Sequence, residues 1–446
     1  MITVPRGLGL IVMGLAISVL AGCDTVGGWF DSKEDPPLEG DRVSILALEP
    51  QIAPDAEIQD VSVVLPKPYL NADWPQPGGG PDRAMHHLQA GDVLNRAWVV
   101  NIGDGSDDDQ RVVSPPVVAG GLIFAMDAGG VISALDVDTG RLSWRFDTRP
   151  EEDDGGFGGG LAVSGGRLFA VTGYGDVFGL EPDTGKVVWR QPLAVPMRAA
   201  PVVSAGRLFV ISYDNQTWAL DGRDGAILWT HAGLAESARL LGAASPAVER
   251  DVVVVPYSSG EIYALRVENG RVAWSDSLSA AQFGGEGLAN LNTINGSPVI
   301  DRGMVFAISH GGRMAALDLR TGNRVWDQAL SGVNTPWLAG DFLFVITTDG
   351  EVVCLSRERG RVRWVQPLAG FEDPDNKKVP IVWSGPILVS DRLVLVASNG
   401  EAVSLSPYDG HLLGQISLPA GVRVPPIAAG GTVYVLTENA DLVALR

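Results

Sequence analysis

The side chains most often used for metal binding and acid–base catalysis are scattered along this chain. Zinc sites need several ligands that converge at short spacing, so the histidine pattern does not favour a metal centre. The acidic runs Asp107–Asp109 and Glu151–Asp154 lack the spacing of an EF-hand loop and are typical of solvated loops. We therefore predict no catalytic residue and no metal ligand. Only the first two of the five histidines are adjacent: His86, His87, His231, His310 and His411.

Phosphate chemistry is not indicated either. The glycine-rich run at 155–160 is not accompanied by a P-loop lysine or by a strand-to-helix transition. The chain has 33 Lys and Arg residues against 53 Asp and Glu residues, which gives a formal net charge of −20 and a pI near 4.6. Without a basic stripe to neutralise phosphates, the composition argues against nucleic acid as a partner.

The two cysteines have different predicted roles. Residues 1–22 form a predicted secretion signal with an apolar run from Leu8 to Leu20. This signal ends in Leu-Ala-Gly before Cys23, which resembles the lipobox of bacterial lipoproteins, and the resemblance implies cleavage before Cys23 and acylation of that residue. The alternative is an ordinary signal with a chance cysteine. Cys354 lies in a predicted strand where sibling repeats carry Ala, so we expect a small buried hydrophobe there.

A repeated spacing of Leu, Gly and Trp extends through most of the chain. The Trp residues follow one another at intervals of 45, 40, 45, 52 and 38 residues, which indicates a β-propeller when each unit contains short strands. A seventh unit, Leu405–Gly410, has Gly414 in the place of Trp. The six complete units are Leu135–Gly140–Trp144, Leu180–Gly185–Trp189, Leu220–Gly225–Trp229, Leu265–Gly270–Trp274, Leu317–Gly322–Trp326 and Leu355–Gly360–Trp364.

Each unit is predicted to contain four strands. In the first unit the apolar runs are 117–118, 122–125, 131–135 and 142–146, separated by Gly- and Asp-containing turns that suit hairpins. The chain ends at Arg446, before a fourth strand of the last unit. The second-strand pattern nevertheless occurs eight times, at Leu122, Leu168, Leu208, Val252, Met304, Phe342, Leu393 and Val433.

The segment Asn95–Val100, which carries Trp98, has the fourth-strand pattern and supplies the missing strand. The prediction is an all-β, eight-bladed propeller of four-stranded blades, whose last blade is closed by this N-terminal strand. Because the repeated tryptophans lie in the outermost strand, we expect each to pack against the next blade. The predicted blade-docking residues are Trp98, Trp144, Trp189, Trp229, Trp274, Trp326 and Trp364.

The domain prediction has three parts: a signal at 1–22, a tether at 23–94 and the propeller at 95–446. The tether is acidic and rich in Pro and Gly, a composition that buries little apolar surface and favours extended states. Within it, Val61–Leu65 is a candidate short strand, and Trp74 and Met85–Leu88 are candidate contacts with the propeller.

The repeats Ala134–Trp144 and Ala316–Trp326 resemble the tryptophan-docking motif of pyrroloquinoline quinone propellers. Two families share that eight-bladed ring: the quinone-dependent dehydrogenases and the BamB lipoproteins of the outer-membrane β-barrel assembly machinery. Together with the lipobox, the resemblance to the BamB family covers the chain from about residue 95 to its end. The dehydrogenases use calcium, and many carry an adjacent cysteine pair that this sequence lacks. We therefore predict no enzyme activity and no cofactor, with a quinone-dependent dehydrogenase as one alternative and a lipid-anchored binding propeller as another.

The resemblance implies a scaffold lipoprotein at the periplasmic face of the outer membrane. Such a protein docks on a POTRA domain of BamA and assists the folding and insertion of outer-membrane proteins. Other assembly-complex subunits and unfolded outer-membrane proteins are further partner classes that the resemblance leaves open. Asp24 is an opposing signal, because Asp after the lipidated cysteine tends to retain lipoproteins at the inner membrane in enteric bacteria.

The longest predicted connections run from the fourth strand of one blade to the first strand of the next, so they emerge on one face, where recognition usually lies. They span 148–160, 230–244, 275–296 and 365–382. In the BamB family the second and third of these connections dock onto BamA. Matched by position, Leu240 stands where the family also has a leucine, whereas Thr293 and Asn295 stand where the family has Asp. The predicted partner-binding residues are Arg239, Leu240, Leu241, Thr293 and Asn295.

Overall fold

A computed structural model describes residues 52–151, 156, 158–234, 244–279 and 293–446. These residues belong to one compact unit, Ile52–Arg446. Their regular structure consists of strands alone, so the described part of the chain is all-β. Within these ranges no helix is long and apolar enough to cross a membrane.

The strands form eight four-stranded antiparallel sheets, which are the blades of a propeller. Strand β1 (Arg96–Asn101) precedes the first blade. Blade 1 contains β2 (Val117–Ala119), β3 (Leu122–Met126), β4 (Val131–Asp136) and β5 (Leu142–Asp147), and blade 2 contains β6 (Gly159–Ser164), β7 (Arg167–Thr172), β8 (Asp176–Leu180) and β9 (Val187–Pro192). Blade 3 contains β10 (Val202–Ser204), β11 (Arg207–Ile211), β12 (Gln216–Asp221) and β13 (Ile227–Ala232), and blade 4 contains β14 (Ala247–Glu249), β15 (Val252–Pro256), β16 (Glu261–Arg266) and β17 (Val272–Ser277).

The second half of the ring repeats this order, with one extra hairpin between blades 6 and 7. The hairpin comprises β26 (Phe371–Asp373) and β27 (Lys378–Pro380). Blade 5 contains β18 (Val299–Asp301), β19 (Met304–Ile308), β20 (Met314–Asp318) and β21 (Arg324–Gln328), and blade 6 contains β22 (Trp337–Ala339), β23 (Phe342–Ile346), β24 (Glu351–Ser356) and β25 (Val362–Pro367). Blade 7 contains β28 (Trp383–Val389), β29 (Arg392–Ala397), β30 (Glu401–Leu405) and β31 (Leu412–Ser417). Blade 8 contains β32 (Ile427–Ala429), β33 (Thr432–Leu436) and β34 (Asp441–Leu445) together with β1.

The last blade is completed by the N-terminal strand, as predicted. Strand β1 pairs antiparallel with β34, and Trp98 lies opposite Ala444. The sheet order is β1-β34-β33-β32, so the two ends of the propeller share one blade. This arrangement pairs the edge that β34 would otherwise expose and closes the ring. The predicted fold class is confirmed.

Each repeated tryptophan spans a blade junction. The indole of Trp144 donates its Nε1–H to the carbonyl of Pro182 in the next blade at 2.8 Å. Its ring covers Gly185, where a Cβ atom would lie 2.5 Å from the ring, so the next blade needs glycine at this turn. The same indole-to-carbonyl bond recurs from Trp189, Trp229, Trp274, Trp326 and Trp364 to the blade that follows. Trp98 covers Gly140 in the same way, at the junction of blades 8 and 1.

A small residue faces each of these tryptophans across the sheet. Trp144 lies opposite Ala134, next to a register shift that leaves Ser143 of the fourth strand unpaired, and Cys354 lies opposite Trp364 in the corresponding position of blade 6. The thiol is buried, and burial raises its pKa. Cys354 therefore has the environment of a small packing residue and not of an activated nucleophile.

The junction of blades 7 and 8 lacks this tryptophan. Gly414 occupies the position, opposite Ser404, and nothing lies within 4 Å of where its Cβ would be. A groove of about 440 Å³ remains here, bounded by Leu413, Ile416 and Leu445 among others. The seven other junctions show by contrast how much of each interface a single indole fills.

The structure places the last part of the predicted tether on the propeller itself. Residues 69–90, which we call the strap, run past the innermost strands of all eight blades in ring order. The order begins with Asn71 at blade 8 and ends with Leu88 at blade 7. The bonds are Asn71 Nδ2 to Ala428 O, Trp74 N to Val118 O, Val163 N to Pro75 O, Val203 N to Gln76 Oε1, Val248 N to Pro81 O, Ile300 N to Asp82 O, Trp337 Nε1 to His86 O and Leu88 N to Leu388 O.

Buried side chains fix the strap in place. Trp74 is 2% exposed and stacks on Trp337 of blade 6, with ring centroids 6.3 Å apart. The buried His87 ring bridges two segments, because Nδ1 donates to Pro66 O at 2.7 Å and Nε2 accepts from Asp391 N at 2.9 Å. The strap thus acts as a second closure of the ring, in addition to strand β1.

The residues before the strap follow the outer edge of blade 6. Asp55 donates its backbone N–H to Val362 O at 2.8 Å, and its carboxylate lies 3.0 Å from the guanidinium of Arg361. The side chain of Arg363 donates to Val61 O. The chain therefore enters the described unit beside the outermost strand of blade 6.

Candidate functional site

The long connections emerge on the face opposite the strap. The strap bonds near the ends of the innermost strands, where the first hairpin turn of each blade begins. The connections that enter those strands must lie at their other ends, since each innermost strand runs from one face to the other. Loops on a rigid scaffold are the usual place for recognition. The strap therefore runs along the innermost strands at one face, and the other face presents the interblade connections.

The connections between blades 3 and 4 and between blades 4 and 5 meet at their bases. The backbone N–H of Ser245, at the end of the first, donates to Ser297 Oγ, at the end of the second, at 3.0 Å. Ala244, Leu278 and Ile294 belong to one buried apolar cluster. The two loops are thus anchored side by side on one hydrophobic base.

The structure locates two of the five predicted partner-binding residues. Arg239, Leu240 and Leu241 lie outside the described residues. Thr293 is 2% exposed, and its backbone carbonyl accepts from His310 N at 3.0 Å. Asn295 lines the central cavity of the ring. Within the described chain, these two residues therefore lie at the base of their loop and not at its outer surface.

An exposed apolar residue that the sequence reasoning missed stands beside the first loop. Leu234, just before the undescribed part of that connection, is 62% exposed. Its backbone is held from both sides, because its N–H donates to Glu261 Oε2 at 3.0 Å and its carbonyl accepts from Asn215 Nδ2 at 2.6 Å. A leucine in a fixed loop with an exposed side chain is a suitable contact for a partner. Its position directly after the fourth strand was the available signal.

Hydrogen bonds of the Tyr257 hydroxyl support the base of this loop. The hydroxyl of Tyr257, a residue that is buried, bonds to Thr217 Oγ1 and to His231 Nδ1, both at 2.8 Å. Burial lowers the pKa of His231 and raises the pKa of Tyr257, so both side chains are neutral near pH 7. This neutral cluster is suited to holding the loop in place, not to proton transfer.

The central channel of the ring contains a cavity of about 500 Å³. Its described lining combines strap residues with residues that precede the innermost strands. Four arginines, Arg83, Arg111, Arg198 and Arg423, line it against one carboxylate, Glu438. Arg111, Arg198 and Arg423 lie four to six residues before the innermost strands β2, β10 and β32. An alignment of the repeats with one another would have shown that these arginines occupy similar positions. No such pattern marks Arg83.

The lining does not fit a quinone with its calcium ion. Calcium needs several oxygen ligands, usually including carboxylates. The one carboxylate of the described lining, Glu438, accepts from Arg423 Nε at 3.0 Å and lies 3.9 Å from Arg111 Nη1. Among the residues that the structure describes, no three His, Cys, Asp or Glu side chains cluster closely enough to hold a metal ion. The sequence also contains no adjacent cysteine pair.

Solved structures share this fold at low sequence identity. The crystal structure of BamB from Moraxella catarrhalis aligns with a TM-score of 0.67 at 19% identity and covers 79% of this chain and 100% of that one. A quinohemoprotein alcohol dehydrogenase from Pseudomonas putida HK5 aligns with a TM-score of 0.66 at 12% identity, covering 84% of this chain and 80% of that one. These similarities show the fold alone, since both families have it.

Sequence comparison separates the two families. The outer membrane protein assembly factor BamB of Yersinia pestis is 26% identical over 77% of this chain and 88% of its own length. That of Escherichia coli K12 is 28% identical over 78% of this chain and 88% of its own length. The profile of the family described as outer membrane protein assembly factor BamB matches residues 106–156 and 149–366, more than half of the sequence. The chain therefore belongs to the BamB family.

Proposed function

We propose that this chain is a non-catalytic scaffold of outer-membrane protein assembly, held by lipid at the periplasmic face of the outer membrane. Membership of the BamB family supports the assembly role, since its members are named as assembly factors. The described lining of the channel supports the absence of quinone catalysis, because its only carboxylate is paired with arginine. A ring without catalytic groups acts through its surfaces.

The docking surface of this proposal is the pair of loops between blades 3 and 4 and between blades 4 and 5. The observation that carries it is the shared base of the two loops, where Ser245 bonds to Ser297 above a common apolar cluster. Leu240 and Leu241 supply apolar anchors, and Leu234 extends them. Apolar anchors surrounded by polar contacts are a usual form of interface hot spot. The partner is a POTRA domain of BamA.

Thr293 and Asn295 have a different part in this docking. Thr293 is buried and Asn295 faces the channel, so they hold the base of the second loop in position for Leu240, Leu241 and Arg239 to make the contact. Arg239 supplies a positive charge beside the apolar pair. Other assembly subunits and unfolded outer-membrane proteins are further partners of the same complex.

The double change Leu240→Glu with Leu241→Glu is expected to reduce BamA recovered with the purified protein by at least about tenfold, because charged side chains replace the apolar anchors. The measurement is affinity purification from detergent-solubilised membranes, with circular dichroism to check the fold. Leu412→Glu with Leu413→Glu is the matched control, since this exposed pair lies on the outer strand of blade 7. BamA recovered at the wild-type yield with the first variant would refute the site.

Photo-crosslinking from position 240 in intact cells tests the partner directly. An adduct with BamA, identified by mass spectrometry, would support docking at this loop. An adduct with an inner-membrane or soluble protein would contradict it and would indicate that Asp24 directs sorting to another compartment.

Replacing Cys23 with serine is expected to abolish labelling by radioactive palmitate, because the residue that carries the acyl chains is lost. Cys354→Ala is the matched control, as most of the other repeats carry Ala at this position, and it should be labelled like the wild type. A Cys23→Ser protein that still incorporates palmitate would contradict the anchor.

A further inference from the structure

The charge of the central cavity is opposite to that of the chain. The whole sequence has a formal net charge of −20, whereas the described lining of the cavity has four arginines and one glutamate. Surrounding walls of low polarity strengthen the field of such a group of charges inside a channel. The described lining of the channel therefore has more cationic than anionic side chains, although the whole protein is acidic.

Arg83 is a buried cation that reaches from the strap into the ring. The residue is 4% exposed, and its Nη1 donates to the carbonyl of Pro246 in blade 4. Its Nη2 is buried and has no hydrogen-bond partner among the described residues, and the neighbouring carboxylate of Asp82 favours its charged form. Burial lowers the pKa of its guanidinium, the expected result of desolvating a charge. An anion beside Arg83 would offset this cost.

The other three arginines lie toward the loop end of the channel. Arg111 and Arg423 both face Glu438, so two cations share one carboxylate. The guanidinium of Arg198 lies 4.5 Å from the ring centre of Tyr213. Arg111 and Arg423 together leave more positive than negative charge around Glu438 at the open end of the cavity, where a ligand would enter. The strap lies across the other end.

Apolar side chains form much of the remaining wall. Trp74 and Trp337 stack on each other, and Trp383, Val112 and Ile387 also line the cavity. Pockets that combine an apolar wall with a few placed polar groups are typical small-molecule sites. The wall suits a ligand body that is aromatic or aliphatic.

We propose that the central cavity binds an organic anion with an apolar body, whose carboxylate or phosphate group pairs with Arg83 at the strap end of the channel. The three arginines at the other end attract the anion and orient its entry. This site lies in the channel and uses none of the apolar anchors proposed for BamA docking, so the two proposals stand or fall separately.

Calorimetric titration of the full lipid-free protein tests this proposal. The probes are phenylacetate, phenyl phosphate, the neutral analogue phenylacetamide, and an acetylated tripeptide that ends in a free carboxylate. We expect the anions to bind at least about tenfold more tightly than phenylacetamide, because a charged hydrogen bond to Arg83 is available only to them. The anion affinities should fall as salt rises. The tightest anion tells whether a free acid, a phosphate or a polypeptide end is the ligand source.

Arg83→Gln should weaken anion binding at least about tenfold and leave the neutral probe unchanged. Arg223→Gln is the matched control, since that arginine is highly exposed and pairs with Asp221 outside the cavity. Arg423→Gln, at the partly exposed end, provides a second test if the Arg83 variant does not fold, and it should weaken the anions by a smaller factor. Equal affinities for phenylacetate and phenylacetamide, or no binding of any anion at about millimolar concentration, would overturn the proposal.

Discussion

Replacing Trp229 with alanine is expected to lower the free energy of unfolding by about 3–5 kcal/mol, the usual cost of deleting a large buried aromatic side chain. Trp229 is 9% exposed, and its indole donates to Val267 O of the next blade at 3.0 Å. Its ring lies over Gly270 and 5.8 Å from the ring centre of Phe209. One substitution therefore leaves a cavity, removes a hydrogen bond and unlocks the junction of blades 3 and 4. The measurement is the midpoint of urea-induced unfolding, with circular dichroism as the signal.

Two variants separate these contributions. Trp229→Phe keeps most of the apolar ring and loses the hydrogen bond, so it should cost less than the alanine variant. Leu228→Ala changes the neighbouring residue of the same strand, which is exposed, and should alter stability by less than about 0.5 kcal/mol. Equal midpoints for Trp229→Ala and Leu228→Ala would show that the tryptophan does not lock the blades.

The fold could be predicted because the signals that specify it are local and repeated. A leucine, a turn glycine and a tryptophan recur at fixed spacing, and each has a role within one blade or at its next junction. The closing strand was found by the same means, since the segment around Trp98 resembles the other fourth strands and the last unit lacks one. Because the repeated unit occurs eight times, each position in one unit can be compared with the equivalent position in the seven others.

The strap could not be predicted in this way. Most of its bonds to the ring use backbone groups, which leave no pattern of side chains in the sequence. Its composition, rich in Pro and Gly, is that of an extended segment, and an extended segment can still be ordered when a ring offers it unpaired backbone groups. Only Trp74 and the run Met85–Leu88 gave a sequence signal, because large apolar side chains are unusual in such a stretch.

The candidate site was predicted only in part, for a related reason. The sequence identified the face of the long loops, because connection length can be read directly. It did not identify the arginine-lined cavity, because Arg83 reaches the channel through the path of the strap and the other arginines are far apart in the chain. A net charge of −20 also concealed a local excess of positive charge.

Combining Trp74→Ala with Leu88→Ala is expected to lower the free energy of unfolding by about 5–10 kcal/mol, the sum of two large-to-small changes at separate contacts. Trp74 is 2% exposed against blades 1 and 6, and Leu88 is fully buried against blade 7. Since the free energy of unfolding of typical proteins is about 5–15 kcal/mol, this loss is comparable to the whole stability of many domains. The measurements are the urea midpoint and limited proteolysis of the strap.

Proteolysis distinguishes loss of the strap from general unfolding. If the strap is a separate closure, the double variant should be cleaved between residues 69 and 90 at urea concentrations where the blades still give their native circular dichroism, because strand β1 keeps the ring closed. Leu70→Ala lies in the same segment at a side chain that is 60% exposed, and it should resist cleavage like the wild type. A double variant with an unchanged midpoint and an uncleaved strap would mean that the hydrogen bonds to the eight blades suffice to hold the strap without its apolar anchors.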